Sequence, residues 1–284
     1  MAVQVKATLL SNRRVGSYHH LVLSGAGIAT GVRPGHFAAI AVGGDNTPMV
    51  LRRAFSIHRA TEMTAKGSVI ELIVSAHGAG TQWLTAQPVG AVLDVVAPLG
   101  RPFALPRDPV NCLLVAGGYG SAPMAYLAEE LIARGCQVDM IFGAGTEAKL
   151  FDTLECKRLA RHFEITTDDG SAGIKGRVSD VMPEMIKRSD SAVVYACGPM
   201  PMLQAVAKVA TAHGAISQTA VEESMACGIG VCMTCVLPVV GDDGVTRMVR
   251  SCVEGPVFRG DRVRWDAVGT VPADAYGAPQ GGAH

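Results

Sequence analysis

Four cysteines toward the carboxyl end carry the most specific chemical pattern in this sequence. Three of them share one loop, separated by four and then two residues, and the fourth returns from further along the chain. Thiolates with this spacing wrap a 2Fe-2S cluster in plant-type iron–sulfur loops. Gly228 and Gly230 would let the backbone curl around the cluster and point amide N–H groups at sulfur. The predicted cluster ligands are Cys227, Cys232, Cys235 and Cys252.

The alternative is that these four cysteines bind a structural zinc ion. Zinc sites usually combine two Cys-x-x-Cys pairs, and only one such pair, Cys232 and Cys235, is present. The other four cysteines are scattered along the chain, which argues against a disulfide framework and favours cluster ligation. They are Cys112, Cys136, Cys156 and Cys197. The eight histidines show no metal-ligand spacing, and no metal is assigned to them.

A second pattern, Arg-Ala-Phe-Ser beginning at Arg53, opens a predicted strand. Arg53 could pair with a pyrophosphate through two parallel hydrogen bonds, while strand alternation directs Phe55 and Ser56 to opposite faces. An arginine on a strand is also often just a solvated residue. The turn at residues 78–81 strengthens the ligand interpretation, because its free amides and threonine hydroxyl could receive phosphate or flavin oxygens. Ordinary hairpin turns use the same residue types.

A glycine-rich turn at residues 116–123 stands between a predicted strand and a predicted helix. Glycines at such a junction let phosphates approach amides at the positive end of the helix. The turn lacks the Gly-x-Gly-x-x-Gly order, so a plain strand-to-helix turn is the alternative. Residues 197–200, Cys-Gly-Pro-Met, form a similar junction. Cys197 could lie there against a nicotinamide ring or serve as a small buried hydrophobe.

The elements that must position these motifs begin with a series of short strands. Turn residues separate the strands at fairly even intervals over the first hundred residues, a spacing typical of an antiparallel barrel or sandwich. The predicted strands are 3–9, 18–23, 36–42, 54–60, 69–75 and 92–96.

From residue 111 the pattern changes to alternating strands and helices. This alternation predicts a parallel sheet with crossover helices, the architecture of a nucleotide-binding domain. In the helix predicted at 123–134, a proline suits the first turn, the apolar residues share one face and Gly135 ends the helix. The other predicted elements are strands at 112–116, 138–142, 163–167 and 192–196, and a helix at 200–212.

The sequence therefore predicts a mixed α+β chain with three domains. An antiparallel β-barrel would span 1–104, and an α/β parallel-sheet domain would span 105–215. A small cluster-binding domain would span 216–265, where the Gly-rich sequence could not build a core without the cluster. Residues 266–284 are rich in Ala, Gly and Pro and lack periodicity, which predicts a flexible tail.

The charge balance excludes some classes of partner. Lys and Arg total 25 and Asp and Glu total 25, so there is no basic excess to neutralise a nucleic-acid backbone. No apolar run approaches the roughly 18 residues of a membrane span, and the first residues do not form a cleavable leader. We therefore expect a cytoplasmic protein that binds neither nucleic acid nor membrane.

Taken together and in this order, the motifs resemble those of the ferredoxin-NADP reductase superfamily. The segment Glu223-x-Met225-x-Cys227-Gly-x-Gly-x-Cys232-x-x-Cys235 narrows the resemblance to the electron-transfer subunits of two-subunit dihydroorotate dehydrogenases. The resemblance covers residues 1–265. It implies FAD in the barrel, NAD on the following domain, and a 2Fe-2S cluster facing a catalytic subunit that carries FMN, in a heterotetramer.

The resemblance also implies roles for individual residues. The flavin contacts would be Arg53, Phe55, Ser56, Gly80 and Thr81. The dinucleotide contacts would be Gly117, Gly118 and Gly120, with Cys197 near the nicotinamide. Residues 168–171 resemble the nucleotide-side loop of the family. The chain departs from the family at Tyr119, where a small aliphatic residue is usual, and in its tail after Asp266.

The implied function is electron transfer between NADH and the partner subunit in pyrimidine biosynthesis. Nicotinamide exchanges two electrons and a cluster one, and a flavin converts between them, so we expect no catalytic acid–base residue. The alternatives are an equivalent subunit of a sulfide, glutamate or ferredoxin-linked oxidoreductase, and a non-enzymatic iron–sulfur or zinc scaffold. NADH should be preferred over NADPH, because residues 143–146 contain no base to receive a 2′-phosphate.

Overall fold

A computed structural model describes residues 1–44, 47–64 and 67–279. Its amino-terminal part is a closed antiparallel barrel with strand order β1-β2-β5-β4-β3-β6. The strands are β1 (Val3–Val15), β2 (Tyr18–Ser24), β3 (Phe37–Ile40), β4 (Arg53–Thr64), β5 (Gly67–Val74) and β6 (Val92–Leu99). All six strands predicted from the sequence are present, and β1 and β4 run further than the predicted ranges.

The barrel closes because alternate residues on each strand are apolar and point inward. Leu21 and Leu23 on β2 pair with Leu72 and Ile70 on β5, and all four are fully buried. A short helix, α1 (Ala79–Thr85), follows β5, and Leu84 on this helix completes the barrel core. The segment at residues 78–81 was predicted as a turn, whereas the structure makes it the start of α1 with Gly78 at the N-cap.

The second part of the chain is a seven-stranded sheet covered on both faces. Its order is β10-β9-β8-β7-β11-β12-β15, parallel except for β15. The remaining strands are β7 (Asn111–Gly117), β8 (Gln137–Ala144), β9 (Phe163–Thr167), β10 (Ile174–Lys175), β11 (Val193–Cys197), β12 (Ile216–Ala220), β13 (Val236–Val240), β14 (Thr246–Arg250) and β15 (Val257–Arg259). The helices are α2 (Met124–Ile132), α3 (Thr153–Leu159), α4 (Val178–Ser189) and α5 (Met200–Ala212).

The central strands of this sheet are buried on both sides, as their continuous apolar runs require. Residues 112–116 of β7 are all buried. Helices α2 and α3 pack on one face, and α4 and α5 pack on the other. Strand β7 has β8 as its neighbour on one side and β11 on the other, so the strand order reverses between β7 and β11. The carboxyl ends of these two strands form a topological switch point, where α/β sheets bind ligands.

The predicted cluster-binding region divides between the sheet and a hairpin. Strands β12 and β15 belong to the seven-stranded sheet, while β13 and β14 form a separate two-stranded hairpin. The described part of the predicted tail lies near this hairpin, because the Tyr276 amide donates to the Thr246 carbonyl at 2.8 Å. Arg264 also pairs with Asp274 at 2.6 Å. Residues 280–284 lie outside the described residues, and the three domain boundaries stay a prediction.

None of the five α-helices in the described ranges combines the length and the apolar character that a bilayer crossing requires.

Candidate cofactor sites

The first cavity, called the flavin cavity below, opens between the barrel and the sheet and has a volume of about 500 Å³. This is the size range of cofactor sites. Five of the residues predicted to contact cofactors line it, although they come from three separate stretches of sequence. They are Arg53, Phe55, Ser56, Thr81 and Cys197.

Arg53 supplies the positive charge of the flavin cavity. One of its guanidinium nitrogens, Nη1, donates to the Leu51 carbonyl at 2.7 Å, which holds the side chain over α1. Gly80 leaves the room for it: a Cβ at that position would lie 2.8 Å from Arg53 Nε. Gly80 thus lies beneath the arginine and does not line the cavity. A glycine is required at this position because a side chain would collide with Arg53.

Thr81 lines the same cavity but is already engaged with the backbone. Its hydroxyl accepts hydrogen bonds from the amides of His77 at 3.1 Å and Gly78 at 3.0 Å, and it donates to the Gly78 carbonyl at 3.0 Å. These two amides are therefore not free for phosphate, contrary to the expectation for this turn. Thr81 instead stabilises the start of α1 against the cavity.

The lining of the flavin cavity fits FAD. Phe55 packs against the barrel core while Ser56 is exposed, so the strand alternates as predicted. Arg53 offers a charge-assisted contact for a pyrophosphate, and Phe55 and Ile73 offer apolar surface for a flavin ring.

The second cavity, called the nucleotide cavity, has a volume of about 680 Å³ and lies at the carboxyl ends of β7, β8, β9 and β11. Gly117, Gly118, Asp168 and Pro199 are part of its wall. Thr166 also lines it, with a fully buried side chain whose Oγ1 has no hydrogen-bond partner among the described residues.

The three predicted turn glycines have different roles. Gly118 has a positive φ of +56° and lines the nucleotide cavity, as does Gly117. Gly120 lines neither cavity; a Cβ there would lie 2.3 Å from the Cys197 carbonyl oxygen. Gly120 is therefore required for the close approach of the turn to the end of β11.

Cys197 lies at the end of β11 on the wall of the flavin cavity and is 4% exposed. Burial, together with the nearby carboxyl of Glu222, raises the pKa of its thiol well above the ordinary value. The thiol is therefore protonated at neutral pH and is suited to packing against a ring, not to nucleophilic attack.

Two cationic side chains from outside the segment 143–146 line the nucleotide cavity. Lys149 and Arg177 both line it, and Lys149 Nζ lies 4.0 Å from the point where Gly145 would carry a Cβ. Asp168 Oδ2 lies 3.8 Å from the same point. The absence of a base in 143–146 therefore does not exclude a positive charge at this site, and the preference for NADH stays a prediction.

The cluster loop has the backbone shape that its glycines predicted. Gly228 and Gly230 have φ angles of +72° and +85°, and a Cβ on Gly230 would lie 2.5 Å from the Val253 side chain. The Val231 amide donates to Cys227 Sγ at 3.4 Å. Burial opposes ionisation of Cys227, but hydrogen bonds from backbone amides of the loop outweigh it and lower the pKa of its thiol. A loop that stabilises thiolates in this way suits cluster ligation.

The β13–β14 hairpin brings the fourth cysteine to the loop. Cys235 directly precedes β13 and Cys252 follows β14, and the Ser251 amide donates to the Cys235 carbonyl at 2.9 Å. The thiols neighbour one another in two pairs, Cys227 with Cys232 and Cys235 with Cys252. Two thiolates for each of two irons is the ligation that a 2Fe-2S cluster requires.

The flavin cavity and the cluster loop share a wall. Phe37 and Met225 line the cavity, and both also pack in one apolar group with Cys235 and Cys252. This wall brings the flavin cavity next to the cysteine loop.

Several residues outside the predicted set also belong to these sites. Phe37, Lys149 and Arg177 carry no sequence signal of their role, because strand pairing and sheet topology bring them in. Met225 belongs to the segment that resembles the family, but only the fold shows that it lines the flavin cavity. Glu222, next to the cysteine segment, also lines the flavin cavity.

A polar cluster forms where the barrel meets the turn before α2. His20, His58 and Glu71 lie on the adjacent strands β2, β4 and β5, with ligand-type atoms within 4.8 Å of one another. His20 Nε2 and Glu71 Oε2 are 2.6 Å apart, and the ring of His58 contacts the Ala122 carbonyl through Nδ1. These two histidines are far apart in the chain, so their spacing carries no metal-ligand pattern.

Comparisons with known proteins agree with this geometry. Residues 222–264 match the family described as the iron–sulfur cluster binding domain of dihydroorotate dehydrogenase B, and residues 114–208 match the oxidoreductase NAD-binding domain. A solved chain of an NADH-dependent reduced ferredoxin-NADP oxidoreductase, from a study of flavin-based electron bifurcation, aligns with a TM-score of 0.79 and 26% identity. That alignment covers 93% of this chain and 91% of the solved one.

Two curated relatives align over most of their own length. The dihydroorotate dehydrogenase B (NAD(+)) electron transfer subunit of Desulforamulus reducens is 34% identical over 233 residues, 82% of this chain and 87% of the relative. The subunit of the same name from Geobacillus thermodenitrificans is 36% identical over 261 residues, 91% of this chain and 97% of the relative. The chain therefore belongs to the family of electron transfer subunits of dihydroorotate dehydrogenase B.

Proposed function

We propose that this chain carries electrons between NADH and a catalytic dihydroorotate dehydrogenase subunit through FAD and a 2Fe-2S cluster. The supporting observation is the order of the three sites. The nucleotide cavity adjoins the flavin cavity through Ser75 and Tyr119, which line both. The flavin cavity in turn shares the Phe37–Met225 wall with the cluster loop. The three groups can thus exchange electrons in sequence.

Each site has residues suited to hold its group. Arg53 would pair with the FAD pyrophosphate, and Phe55, Ser56 and Thr81 would contact the rest of that cofactor. In the nucleotide cavity, Gly117 and Gly118 would allow close approach of the dinucleotide. The four cysteines of the loop would hold the cluster.

The chemistry of the bound groups is hydride exchange at nicotinamide and flavin and single-electron exchange at the cluster. The protein's own contribution is to position them and to exclude water. Cys197 keeps its proton, and the apolar side chains of Phe37 and Met225 pack between the flavin cavity and the cysteines. The route through these sites therefore assigns no acid–base step to a side chain.

The catalytic partner would dock on the rim of the cluster loop. Ile229, Val231 and Met233 are all exposed, Val231 by 76%, and along the chain they lie within three residues of Cys232, which is itself exposed. An apolar rim beside a redox group is the kind of surface that a partner protein covers. We propose that the partner carries FMN, that the two chains form a heterotetramer in pyrimidine biosynthesis, and that the complex is cytoplasmic.

A second candidate function is electron transfer to a different oxidoreductase. The structural similarity to the NADH-dependent reduced ferredoxin-NADP oxidoreductase chain favours it, because that alignment also covers nearly the whole chain. The identity of the partner separates the two candidates.

The test starts with anaerobic purification, a visible spectrum and metal analysis. We expect about one FAD and two irons per chain, as a four-thiolate 2Fe-2S site requires; stoichiometric zinc without iron would contradict the proposal. The protein is then combined with a catalytic dihydroorotate dehydrogenase subunit. Dihydroorotate-dependent reduction of NAD⁺ should require both chains. Its absence, with FAD and iron present, would favour the second candidate.

A further inference from the structure

Two histidines and one glutamate meet on the outer face of the barrel. His20 and Glu71 each precede a leucine of the barrel core, so strand alternation turns both of them outward. His20 Nε2 lies 2.6 Å from Glu71 Oε2, and with His58 the three side chains offer ligand-type atoms within 4.8 Å of one another. Two imidazoles and one carboxylate are a ligand set that binds zinc, with a solvent molecule in the remaining position.

A β-bulge on β4 brings His58 to this pair. Ile57 pairs with Leu72, and Arg59 pairs with Glu71. Two residues of β4 thus advance against one residue of β5, which makes His58 the additional residue of the bulge. The bulge sets both His58 and Arg59 opposite Glu71. Bulges re-aim side chains in this way and are frequent beside functional sites.

The buried ring of His58 is oriented as a metal ligand requires. Its Nδ1 contacts the Ala122 carbonyl, and since a carbonyl only accepts, Nδ1 carries the proton and donates it. Burial lowers the pKa of His58, so the ring is neutral at pH 7 and Nε2 keeps its lone pair. Ligating histidines typically donate their other ring N–H to a carbonyl or a carboxylate. Nε2 of His58 is therefore the nitrogen that can ligate a metal.

The charges and the exposure of the cluster are compatible with a cation. Glu71 is ionised, because its hydrogen bond with His20 lowers the pKa of the carboxyl. The nearby positive charge of Arg59 is matched by one carboxylate on α2 at 2.9 Å and one on α3 at 2.8 Å. Arg13 Nη2 lies 3.4 Å from His20 Nδ1, but Arg13 is exposed and can turn into solvent. The side chains of His20 and Glu71 are 15% and 23% exposed, which gives an ion a route from solvent.

We propose that His20, His58 and Glu71 bind one Zn²⁺ ion, with water as the fourth ligand. Zinc at about 2.0–2.1 Å from each ligand places the ligand atoms of a tetrahedral site roughly 3.3 Å apart. The contact between His20 and Glu71 then has to open by less than about 1 Å. Because His58 also bonds to Ala122, in the turn before α2, the ion would fasten the barrel to the second part of the chain. The proposal does not depend on the proposed function, since none of the three ligands lines the flavin or the nucleotide cavity.

The test titrates Zn²⁺ by calorimetry into the untagged protein loaded with FAD and its iron–sulfur cluster. One Zn²⁺ per chain should bind and the iron content should not fall, because the cluster keeps its cysteines. X-ray absorption at the zinc edge should show nitrogen and oxygen ligands at about 2.0–2.1 Å and no sulfur at about 2.3 Å. Sulfur ligation would place the ion on cysteines and overturn the proposal, as would the absence of zinc binding.

Three conservative variants assign the ion to its ligands. His20→Gln, His58→Asn and Glu71→Gln each remove one ligand and keep a similar shape, and the amide of His58→Asn can still donate to the same backbone carbonyl. Each should weaken Zn²⁺ binding by more than about tenfold, since even the outer partners of a metal ligand contribute about 10- to 100-fold. His213→Asn is the matched control, because its Nδ1 also lies 2.9 Å from a backbone carbonyl but outside the cluster.

Thermal unfolding separates loss of the ion from loss of folding. Without added zinc, the three variants should unfold within about 4 °C of wild type. Saturating Zn²⁺ should raise the Tm of wild type and of His213→Asn, because a ligand that binds the native state stabilises it, and should leave the three variants unchanged. Equal zinc binding by wild type and the three variants would show that the ion lies elsewhere and would overturn the proposal.

Discussion

Gly80 lies directly beneath the guanidinium of Arg53, with only 2.8 Å between Arg53 Nε and the position that a Cβ on Gly80 would occupy. A side chain at residue 80 would therefore displace the group proposed to hold the FAD pyrophosphate. Gly80 therefore affects FAD binding through its contact with Arg53. This contact links the strand that begins at residue 53 with the segment at residues 78–81.

Arg53→Ala should weaken FAD binding by roughly 1.5 to 3 kcal/mol, because it removes a charge-assisted, two-pronged contact. Gly80→Ala should weaken it less, since the long arginine side chain can shift away from the new methyl group. The FAD dissociation constant is measured by fluorescence. Arg52→Ala is the control, because Arg52 pairs with Asp94 at 2.6 Å. Full flavin occupancy in Arg53→Ala after dilution and gel filtration would refute the assignment.

Cys232→Ser should separate the two halves of electron transfer. NADH meets the flavin in one region and the partner meets the cluster in another, so NADH-dependent reduction of a dye that accepts electrons from FAD should stay near wild type. Transfer to the catalytic subunit should collapse. Retained FAD reports that the variant is folded, which matters because loss of a cluster can destabilise its surroundings. If a variant shown to lack iron still supported partner-dependent turnover, the cluster would not lie on the electron path from FAD to the catalytic subunit.

NADH should be preferred over NADPH, measured as the ratio of the two kcat/KM values. Lys149 and Arg177 line the nucleotide cavity, so whatever use of NADPH exists should depend on them. Lys149→Ala and Arg177→Ala should each lower NADPH use by about tenfold more than NADH use, because an ion pair to a 2′-phosphate is lost. Arg134→Ala, past the end of α2, is the control. Comparable efficiencies with both coenzymes in the wild type would overturn the preference.

Asp152 should make the protein less stable as pH rises. Burial, with the charge of Glu155 next in effect, raises the pKa of its carboxyl to about 7. The folded state thus holds this proton more tightly than the unfolded state. The stability that this proton contributes is therefore fully present below about pH 4 and is lost progressively as the pH rises to about 7.

Asp152→Asn removes this titration and suits the left-handed backbone at φ 59°. The variant should be more stable than wild type by about 1 to 3 kcal/mol at pH 8.5, after allowance for solvent screening, with a much smaller difference at pH 5. Denaturant unfolding at the two pH values measures it. A difference independent of pH would mean that the aspartate is already ionised in the folded state near pH 5.

The sequence by itself determined those features that depend on neighbours along the chain. The spacing of Cys227, Cys232 and Cys235, with Gly228 and Gly230 between them, specifies a tight loop whose amides face sulfur, because every part lies within one short segment. Strand alternation likewise located the six barrel strands, and the alternation of strands and helices located the nucleotide-binding sheet.

Only the tertiary structure decided which distant residues share a site. Phe37 reaches the cysteines, and Lys149 and Arg177 reach the nucleotide cavity, through strand pairing and crossover connections that no local pattern records. The same holds for Tyr119 and Glu222, which both line the flavin cavity although they lie far apart in the chain. The fold also shows why residues 80 and 120 are glycines: Gly80 packs against Arg53, and Gly120 packs against Cys197. A Cβ is excluded at each position by atoms that approach from elsewhere in the fold.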